Sequence, residues 1–430
     1  MKPVLQVALD LLNAHRAIQI AKDAVKGGAD WLEAGTPLIK SEGMNIVRTL
    51  RKTFPKKTIV ADLKTMDTGA IETEMAAKAG ADIVCIMAAS DNSTIQDAVR
   101  SAQKYGVKIM VDLLGVKNII KRAQQLEQLG VHYLCIHVGI DEQMIGKQPI
   151  QKLSALVKHT TLPIAVAGGL TAQSVKKTLE KGARIIIVGG AITKATNVEK
   201  ATKSIIQVLQ GENIEKNDFH KRYDKKEIAI AFSKVSTPNI SDAMHKKGAM
   251  VHITPIKPGY HMIGQALTVE TIDGDWAKPV EAIDKATENT VLVINAHSGH
   301  TAVWGELATR SALQRKIAGV VIDGTVRDVD DIKAMNLPIF SRYTAPNAGE
   351  PKGLGEIGSE IHCGQQKVQT GDWIIGDDSG VVVVSQSSAQ EIANRALDVK
   401  EQENRIREEI KKGESLGEVL KLKKWEKKIG

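Results

Sequence analysis

The chain has 430 residues, of which 43% are hydrophobic, 25% charged and only 3% aromatic, with a formal net charge of +8. That length exceeds one ordinary domain, and the balance is that of a soluble globular protein with two. No apolar run approaches the ~18–20 residues of a membrane span, and the scarcity of aromatics leaves few stacking platforms for single-stranded nucleic acid. The mild positive excess suits an anionic small substrate as well as a nucleic acid. Met1-Lys2-Pro3 leads straight into a strand-like run without the build of a signal peptide. Cys85, Cys135 and Cys363 are scattered without metal spacing. Together these features predict a cytoplasmic protein with reduced thiols and no membrane role.

In chain order, strand-like runs are predicted at Val4–Asp10, Asp30–Gly35, Thr58–Leu63, Asp82–Ala88, Val107–Leu113, Val131–Val138, Leu162–Gly168 and Arg184–Gly189. Segments with helical spacing, such as "AHRAIQIAKDAVKGG" and "TAQSVKKTLEKGA", lie between them. The recurring "GGAD", "AGAD", "LGVH" and "KGAR" mark helices that end in glycine before the next strand. Eight strand–helix units in residues 1–210 predict a (β/α)8 TIM barrel. An open, doubly wound sheet is the competing reading. The count of eight, with no nucleotide-binding glycine fingerprint after the first strand, favours the barrel.

A barrel carries its active site at the C-terminal ends of its strands. The polar residues fall there. Strand one ends in Asp10, strand two in Glu33 with Thr36 beyond, and strand three in Asp62 and Lys64 with Asp67 beyond. Strand five ends near Asp112 and strand six in His137. Strands seven and eight end in Gly168-Gly169 and Gly189-Gly190, where backbone N–H groups can approach a phosphate. A strand-end acid is often only a cap, but so many on one rim argue for chemistry. Glu33 and Asp62 are hard oxygen ligands suited to Mg²⁺ or Mn²⁺. Lys64 can stabilise a developing enolate oxygen. His137 can move protons near neutral pH. The reaction class so implied is a metal-stabilised enediolate formed from a small sugar phosphate.

"ADLKTMD" carries the D-x-K-x-x-D signature of the orotidine-monophosphate-decarboxylase-like barrels. The metal-free nucleotide decarboxylases carry Lys where this chain has Glu33. The 3-keto-L-gulonate-6-phosphate decarboxylases share Glu33, Asp62, Lys64 and Asp67 but have Arg three residues after the histidine, where this chain has Ile140. "LEAGTPLIKSEG", "IHVGIDEQ", "VAGGL" and "IVGGAI" make residues 3–209 resemble the 3-hexulose-6-phosphate synthases. That resemblance implies reversible, Mg²⁺-dependent condensation of formaldehyde with ribulose 5-phosphate. It implies metal binding by Glu33 and Asp62, enediolate stabilisation by Lys64 and acid–base work by His137. Asp67 would reach into a partner subunit's site, which implies a dimer. A 3-keto-L-gulonate-6-phosphate decarboxylase is the alternative.

Residues 211–227, "GENIEKNDFHKRYDKKE", lack apolar periodicity and read as a linker. Residues 228–396 alternate strands and helices as a second α/β domain. "TVLVINAH", "AGVVIDG", "LPIFSR" and "SGVVVVSQ" are strand-like, "TAVWGELATRSALQRK" and "DVDDIKAM" helix-like, and "GDWIIGDDSGVVVV" two strands around a turn. Glu306 precedes Arg327-Asp328 by twenty intervening residues. Arg327 could clamp a carboxylate, Asp328 could hold a divalent cation, and Gly305 would leave amides open at a helix start. A charged turn capping a helix is the plainer reading of "DGTVRDVDD". "AHSGH" places His297 and His300 three apart, and a loop role is expected because no third metal ligand is evident. Residues 397–430 predict a charged helical tail, on the surface or packed in an oligomer.

"WGEL", "IDGTVRD", "LPIF" and "GDDSGVVVV" resemble, in order, the family of 4-hydroxy-4-methyl-2-oxoglutarate aldolases and the regulator of ribonuclease activity A. The aldolases have Asp where this chain has Glu306. The resemblance implies that Arg327 binds the carboxylate of a pyruvate-like 2-oxo acid, Asp328 holds Mg²⁺ and Glu306 assists proton transfer, in trimers with sites between subunits. The regulator branch implies instead a non-catalytic, partner-binding or oligomerisation module.

Overall fold

Side-chain alternation along eight short strands builds the first half of the molecule. They are β1 (Val4–Leu9), β2 (Trp31–Ala34), β3 (Thr58–Thr65), β4 (Ile83–Met87), β5 (Lys108–Asp112), β6 (Tyr133–His137), β7 (Ile164–Ala167) and β8 (Ile185–Val188). All are parallel, and β1 pairs with both β2 and β8, so the sheet closes into a barrel. The structure, a computed structural model, describes residues 2–146, 149–214 and 220–420. It comprises two units, Met1–Arg222 with Glu401–Gly430, and Tyr223–Lys400.

Period-two alternation sorts the strand residues. Ala8, Val60, Cys85, Met110, Cys135, Ala165 and Ile187 form one cluster inside the barrel. Leu5, Val7, Leu32, Ile59, Val84, Val111 and Leu134 pack outward with the helices in a second, larger cluster. Continuing the inner parity towards the strand ends brings Glu33 beside Ala8 and Val60, Asp112 beside Cys135, and His137 beside Ala167. The pleat that fills the core thus delivers polar groups to its upper end. One strand runs beyond its predicted end: β3 continues to Thr65, through a register shift between Asp62 and Thr65. Lys64 sits in that bulge with φ +50°, a left-handed conformation unusual for a non-glycine residue.

The second unit is built on a nine-stranded sheet. Its centre is parallel: Met262–Glu270, Thr290–Asn295, Gly319–Val326 and Ile339–Thr344. The hairpin Trp373–Asp377 and Gly380–Val384 extends it antiparallel. The predicted helix "TAVWGELATRSALQRK" is corrected here. Ala302–Trp304 is a strand beside Gly319–Val326, and the helix is confined to Glu306–Gln314. Buried Val303 and Trp304 suit a sheet core better than a helix start. Asp328, in the predicted helix "DVDDIKAM", precedes the helix Val329–Ala334 with φ +57°.

The linker and tail also differ from simple solvated segments. His220 and Arg222 lie with the first unit, and Lys225–Glu227 forms a single 3-10 turn in the second. Residues 215–219 of the predicted linker and 421–430 of the predicted tail lie outside the described residues. One helix, Ala389–Lys411, runs through position 397, where the tail was expected to begin. The tail is more than a surface helix, because Arg405 and Glu409 are buried. Glu409 pairs with Arg16 at 2.9 Å and with Arg405 at 3.1 Å, and Arg405 donates to the carbonyl of Ala195. Cys85, Cys135 and Cys363 are buried free thiols. Among the described residues, no helix is long and apolar enough to cross a membrane. Removing one member of a buried ion network strands its partners. Glu409→Ala should therefore destabilise the first unit by about 2 kcal/mol, seen as a lower urea midpoint; an unchanged midpoint would contradict this packing role.

Candidate active site

Glu33, Asp62, Lys64, Asp112 and His137 converge on one narrow cavity of about 30 Å³ inside the barrel mouth, with Gln6 on its wall. Lys64 Nζ lies 2.9 Å from Asp62 Oδ2 and 3.0 Å from Asp112 Oδ2. His137 Nδ1 lies 2.9 Å from that same Asp112 oxygen, while Asp112 Oδ1 accepts from Leu114 N–H at 2.9 Å. With Asp112 as a carboxylate, Nδ1 is the donor, which leaves Nε2 of the neutral imidazole as the proton acceptor. Burial alone would raise the Asp112 carboxyl, but the bonds and charges of His137 and Lys64 outweigh it and hold it below its ordinary value. Burial likewise disfavours the Lys64 ammonium. Asp62 and Asp112 outweigh that cost, so its pKa is raised.

Glu33 is the opposite case. Burial, then the carboxylates of Asp62 and Asp10, push its carboxyl well above the ordinary range, and the amide of Gln6 offsets only part. Gln6 Nε2 donates to Glu33 at 2.5 Å. Its other amide atom, Oε1, is buried and has no hydrogen-bond partner. The Glu33 and Asp62 carboxyl oxygens and the orphaned amide oxygen line one cavity, a set of hard oxygen donors that fits a divalent cation such as Mg²⁺ or Mn²⁺, whose charge would favour the ionised form of Glu33. Among the described residues, no group of three or more His, Cys, Asp or Glu side chains forms a complete cage. Magnesium does not ask for one, since it commonly takes one or two carboxylates and completes its shell with water and substrate oxygens.

The other predicted residues surround this core at different distances. Thr36 Oγ1 lies 2.9 Å from Asp62 Oδ2 and 2.8 Å from the Asp62 carbonyl, which fixes that carboxylate. Asp10 stands at the open rim, and a Cβ on Gly35 would collide with its carboxylate. Crowding by protein and then the Asp62 charge raise the Asp10 carboxyl above its ordinary value. Gly168 and Gly169 have φ of +107° and +65°, and a Cβ on Gly168 would strike the Val138 carbonyl. Gly189 and Gly190 follow β8 at the same end. Asp67 is not brought in: it is exposed and accepts from the N–H of Thr68 at 2.7 Å. Ile140 is 61% exposed and carries no charge to the mouth. Two residues were missed as site members. Asp112 was seen only as a strand end. Gln6 could have been found as the lone amide in the apolar run "VLQVAL".

In the second unit, Glu306, Arg327 and Asp328 line a wider cavity of about 290 Å³, walled by Trp276, Trp304 and Leu307. The amide of Glu306, expected to be open for an anion, is taken by Asp328 Oδ2 at 3.0 Å. The left-handed backbone of Asp328 aims its carboxylate at that helix start, and a Cβ on Gly305 would crowd it. Arg327 Nε lies 3.5 Å from the same oxygen. The Glu306 carboxylate pairs with Arg310 one turn along. His297 pairs with Glu270 at 2.7 Å and His300 stacks on Tyr343, so the two histidines do not share a ligand.

Glu33 predicts its own replacement effect. Glu33→Gln removes a carboxyl whose ionisation burial and two carboxylates oppose, and the new amide oxygen still accepts from Gln6. In metal-free buffer at pH 7 it should stabilise the protein by about 1–2 kcal/mol, read as a higher melting temperature. A lower one would show that the carboxylate is better compensated than this geometry allows.

Residues 3–205 match the profile of the orotidine 5'-phosphate decarboxylase / HUMPS family. Residues 237–383 match that of the Aldolase/RraA family. The chain is 39% identical over 210 residues to the 3-hexulose-6-phosphate synthase of Bacillus subtilis, spanning 48% of this chain and 99% of that one. It is 37% identical over 201 residues to that of Mycobacterium gastri, spanning 47% and 97%. The solved 3-hexulose-6-phosphate synthase from Salmonella typhimurium is 36% identical over 50% of this chain and 100% of that one, with a TM-score of 0.48.

Proposed function

The chain belongs to the 3-hexulose-6-phosphate synthase family of lyases through its barrel and carries an Aldolase/RraA-like second domain, and on that premise we propose that the barrel joins formaldehyde reversibly to ribulose 5-phosphate. The observation that carries the reading is the shared Asp112 oxygen, which presents Lys64 and His137 together beside Glu33 and Asp62. His137 Nε2 would take a proton from C1 of the ketose, and the electron pair would pass to the C2 oxygen, giving an enediolate. Lys64 would donate to that oxygen as its charge develops. C1 then bonds to the formaldehyde carbon, and the aldehyde oxygen takes up a proton as the new hydroxyl. Glu33 and Asp62 would hold Mg²⁺ or Mn²⁺, which supplies Lewis-acid stabilisation of the enediolate oxygens. Gly168, Gly169, Gly189 and Gly190 would receive the phosphate, and Thr36 keeps Asp62 oriented. Asp10 would assist at the rim. Exposed Asp67 would act in a partner's site, which makes the working unit a homodimer. An uncharged Ile140 supports this reading over the 3-keto-L-gulonate-6-phosphate decarboxylase alternative.

For the second unit the cavity at Glu306, Arg327 and Asp328 supports a divalent-metal-dependent aldolase or decarboxylase acting on a pyruvate-like 2-oxo acid such as oxaloacetate. Arg327 would clamp the carboxylate. Asp328 would hold the metal, and Glu306 would act through water. The pairing of Glu306 with Arg310 favours a second reading, a binding or oligomerisation module without activity.

Formaldehyde and ribulose 5-phosphate should disappear in equal amounts with the full chain and Mg²⁺. EDTA should abolish this, and Asp62→Ala should lower the rate by at least about 100-fold; full activity in either case would sink the assignment. Mg²⁺ should also raise the melting temperature of wild type but not of Glu33→Gln. For the second unit, pyruvate release from 4-hydroxy-4-methyl-2-oxoglutarate or oxaloacetate should depend on Mg²⁺ and fall at least about 100-fold in Arg327→Ala. Neither substrate turning over would favour the non-catalytic module.

A further inference from the structure

The Gly189–Gly190 turn is backed by residues that lie far beyond the barrel in sequence. The His220 imidazole packs on Gly190 so closely that a Cβ there would lie 2.8 Å from Nε2. His220 is 7% exposed and has φ +60°. Its Nδ1 lies 2.9 Å from Glu401 Oε2. Arg222 grips both oxygens of Glu401, at 3.1 and 3.0 Å. Burial would raise the Glu401 carboxyl, but bonds from His220 and Arg222 bring it down to about 2, so it stays ionised at neutral pH, while burial lowers the His220 imidazole below its ordinary value. The helix bearing Glu401 is fixed further along, where Arg405 donates to the carbonyl of Ala195 and Glu409 pairs with Arg16. The charge of Lys194, at the end of the turn that Gly190 begins, is felt at both His220 and Asp10. The same set of contacts therefore extends from the tail to the barrel rim. The synthase relative from Bacillus subtilis is spanned to 99% by a 210-residue match, so His220, Arg222 and Glu401 add to what such a barrel requires.

We infer that His220, held by Glu401 and Arg222, is a positioning residue for substrate phosphate: it sets the Gly189–Gly190 backbone, and the tail after the second domain is a working part of the barrel. This rests on the reading that this turn receives the phosphate. A rigid turn raises affinity because its amides need no ordering when the anion arrives.

The test uses the full chain with inorganic phosphate and ribulose 5-phosphate, binding by calorimetry and turnover by formaldehyde consumption. His220→Ala and Glu401→Gln should weaken phosphate about tenfold and raise KM alike, while kcat stays within about twofold. His220→Gln, still able to bond to Glu401, should recover part of the loss. Arg51→Ala removes bonds to the carbonyls of Gly80 and Lys57 at the opposite end of the barrel; it lowers stability without touching the turn or its supports, and should leave phosphate affinity unchanged. Phosphate affinity within twofold of wild type in both His220→Ala and Glu401→Gln would overturn the inference alone, as would equal weakening by Arg51→Ala. A wild type that binds neither ligand would overturn it together with the reading it rests on.

Discussion

Asp112 Oδ2 is the atom on which the arrangement of polar groups in the barrel mouth rests. The Lys64 ammonium and the His137 imidazole both end on it. Without it the ammonium would be drawn to Asp62 alone, and nothing would decide which imidazole nitrogen carries the proton. The arrangement is affordable because Leu114 N–H satisfies the second oxygen of Asp112. It also answers a problem set by the pleat. Inner parity drives Glu33, Asp62 and Asp112 towards one small cavity, and like charges in a space poor in water oppose each other. The single Lys64 ammonium bridges Asp62 and Asp112 and offsets one of their two charges. Glu33 is left with Gln6, whose own oxygen lacks a partner. That residual imbalance is where a cation would fit.

Local geometry shows why Lys64 can do this. A regular strand would send residues 62 and 64 to the same face in sequence, one above the other. The bulge and the left-handed backbone of Lys64 break that regularity. The ammonium then reaches both Asp62 and Asp112. Thr36 holds Asp62 from the other side through its hydroxyl. Strained backbone of this kind persists where surrounding contacts fix it, and such places are often functional.

Much of this was legible in the sequence, and the reason is physical. Eight β-branched runs separated by glycine-ended helices specify the barrel, and a barrel rule specifies which end of each run matters. Glu33, Asp62, Lys64 and His137 were singled out that way, and the fold brings them to one cavity. Asp112 was visible as a strand end, but its double partnership depends on closure of β5 beside β6, which no local pattern encodes. Gln6 was hidden because a single amide in an apolar run reads as a tolerated core residue. The strand Ala302–Trp304 was read as helix because it is short and continues into one. The contacts of His220 with Glu401 span 181 positions, beyond any periodicity. The tail's mixed charges suggested a solvated face, and only the fold shows Arg405 and Glu409 turned inward.

The central claim is that His137 and Lys64, joined through Asp112, generate an enediolate from ribulose 5-phosphate. Proton NMR of that substrate in D2O, with the full chain and Mg²⁺ but no formaldehyde, isolates this step from carbon–carbon bond formation. The account predicts that one C1 proton exchanges for deuterium, and that Asp112→Asn slows the exchange by at least about 100-fold. Condensation without any C1 exchange, or exchange at the wild-type rate in Asp112→Asn, would contradict it.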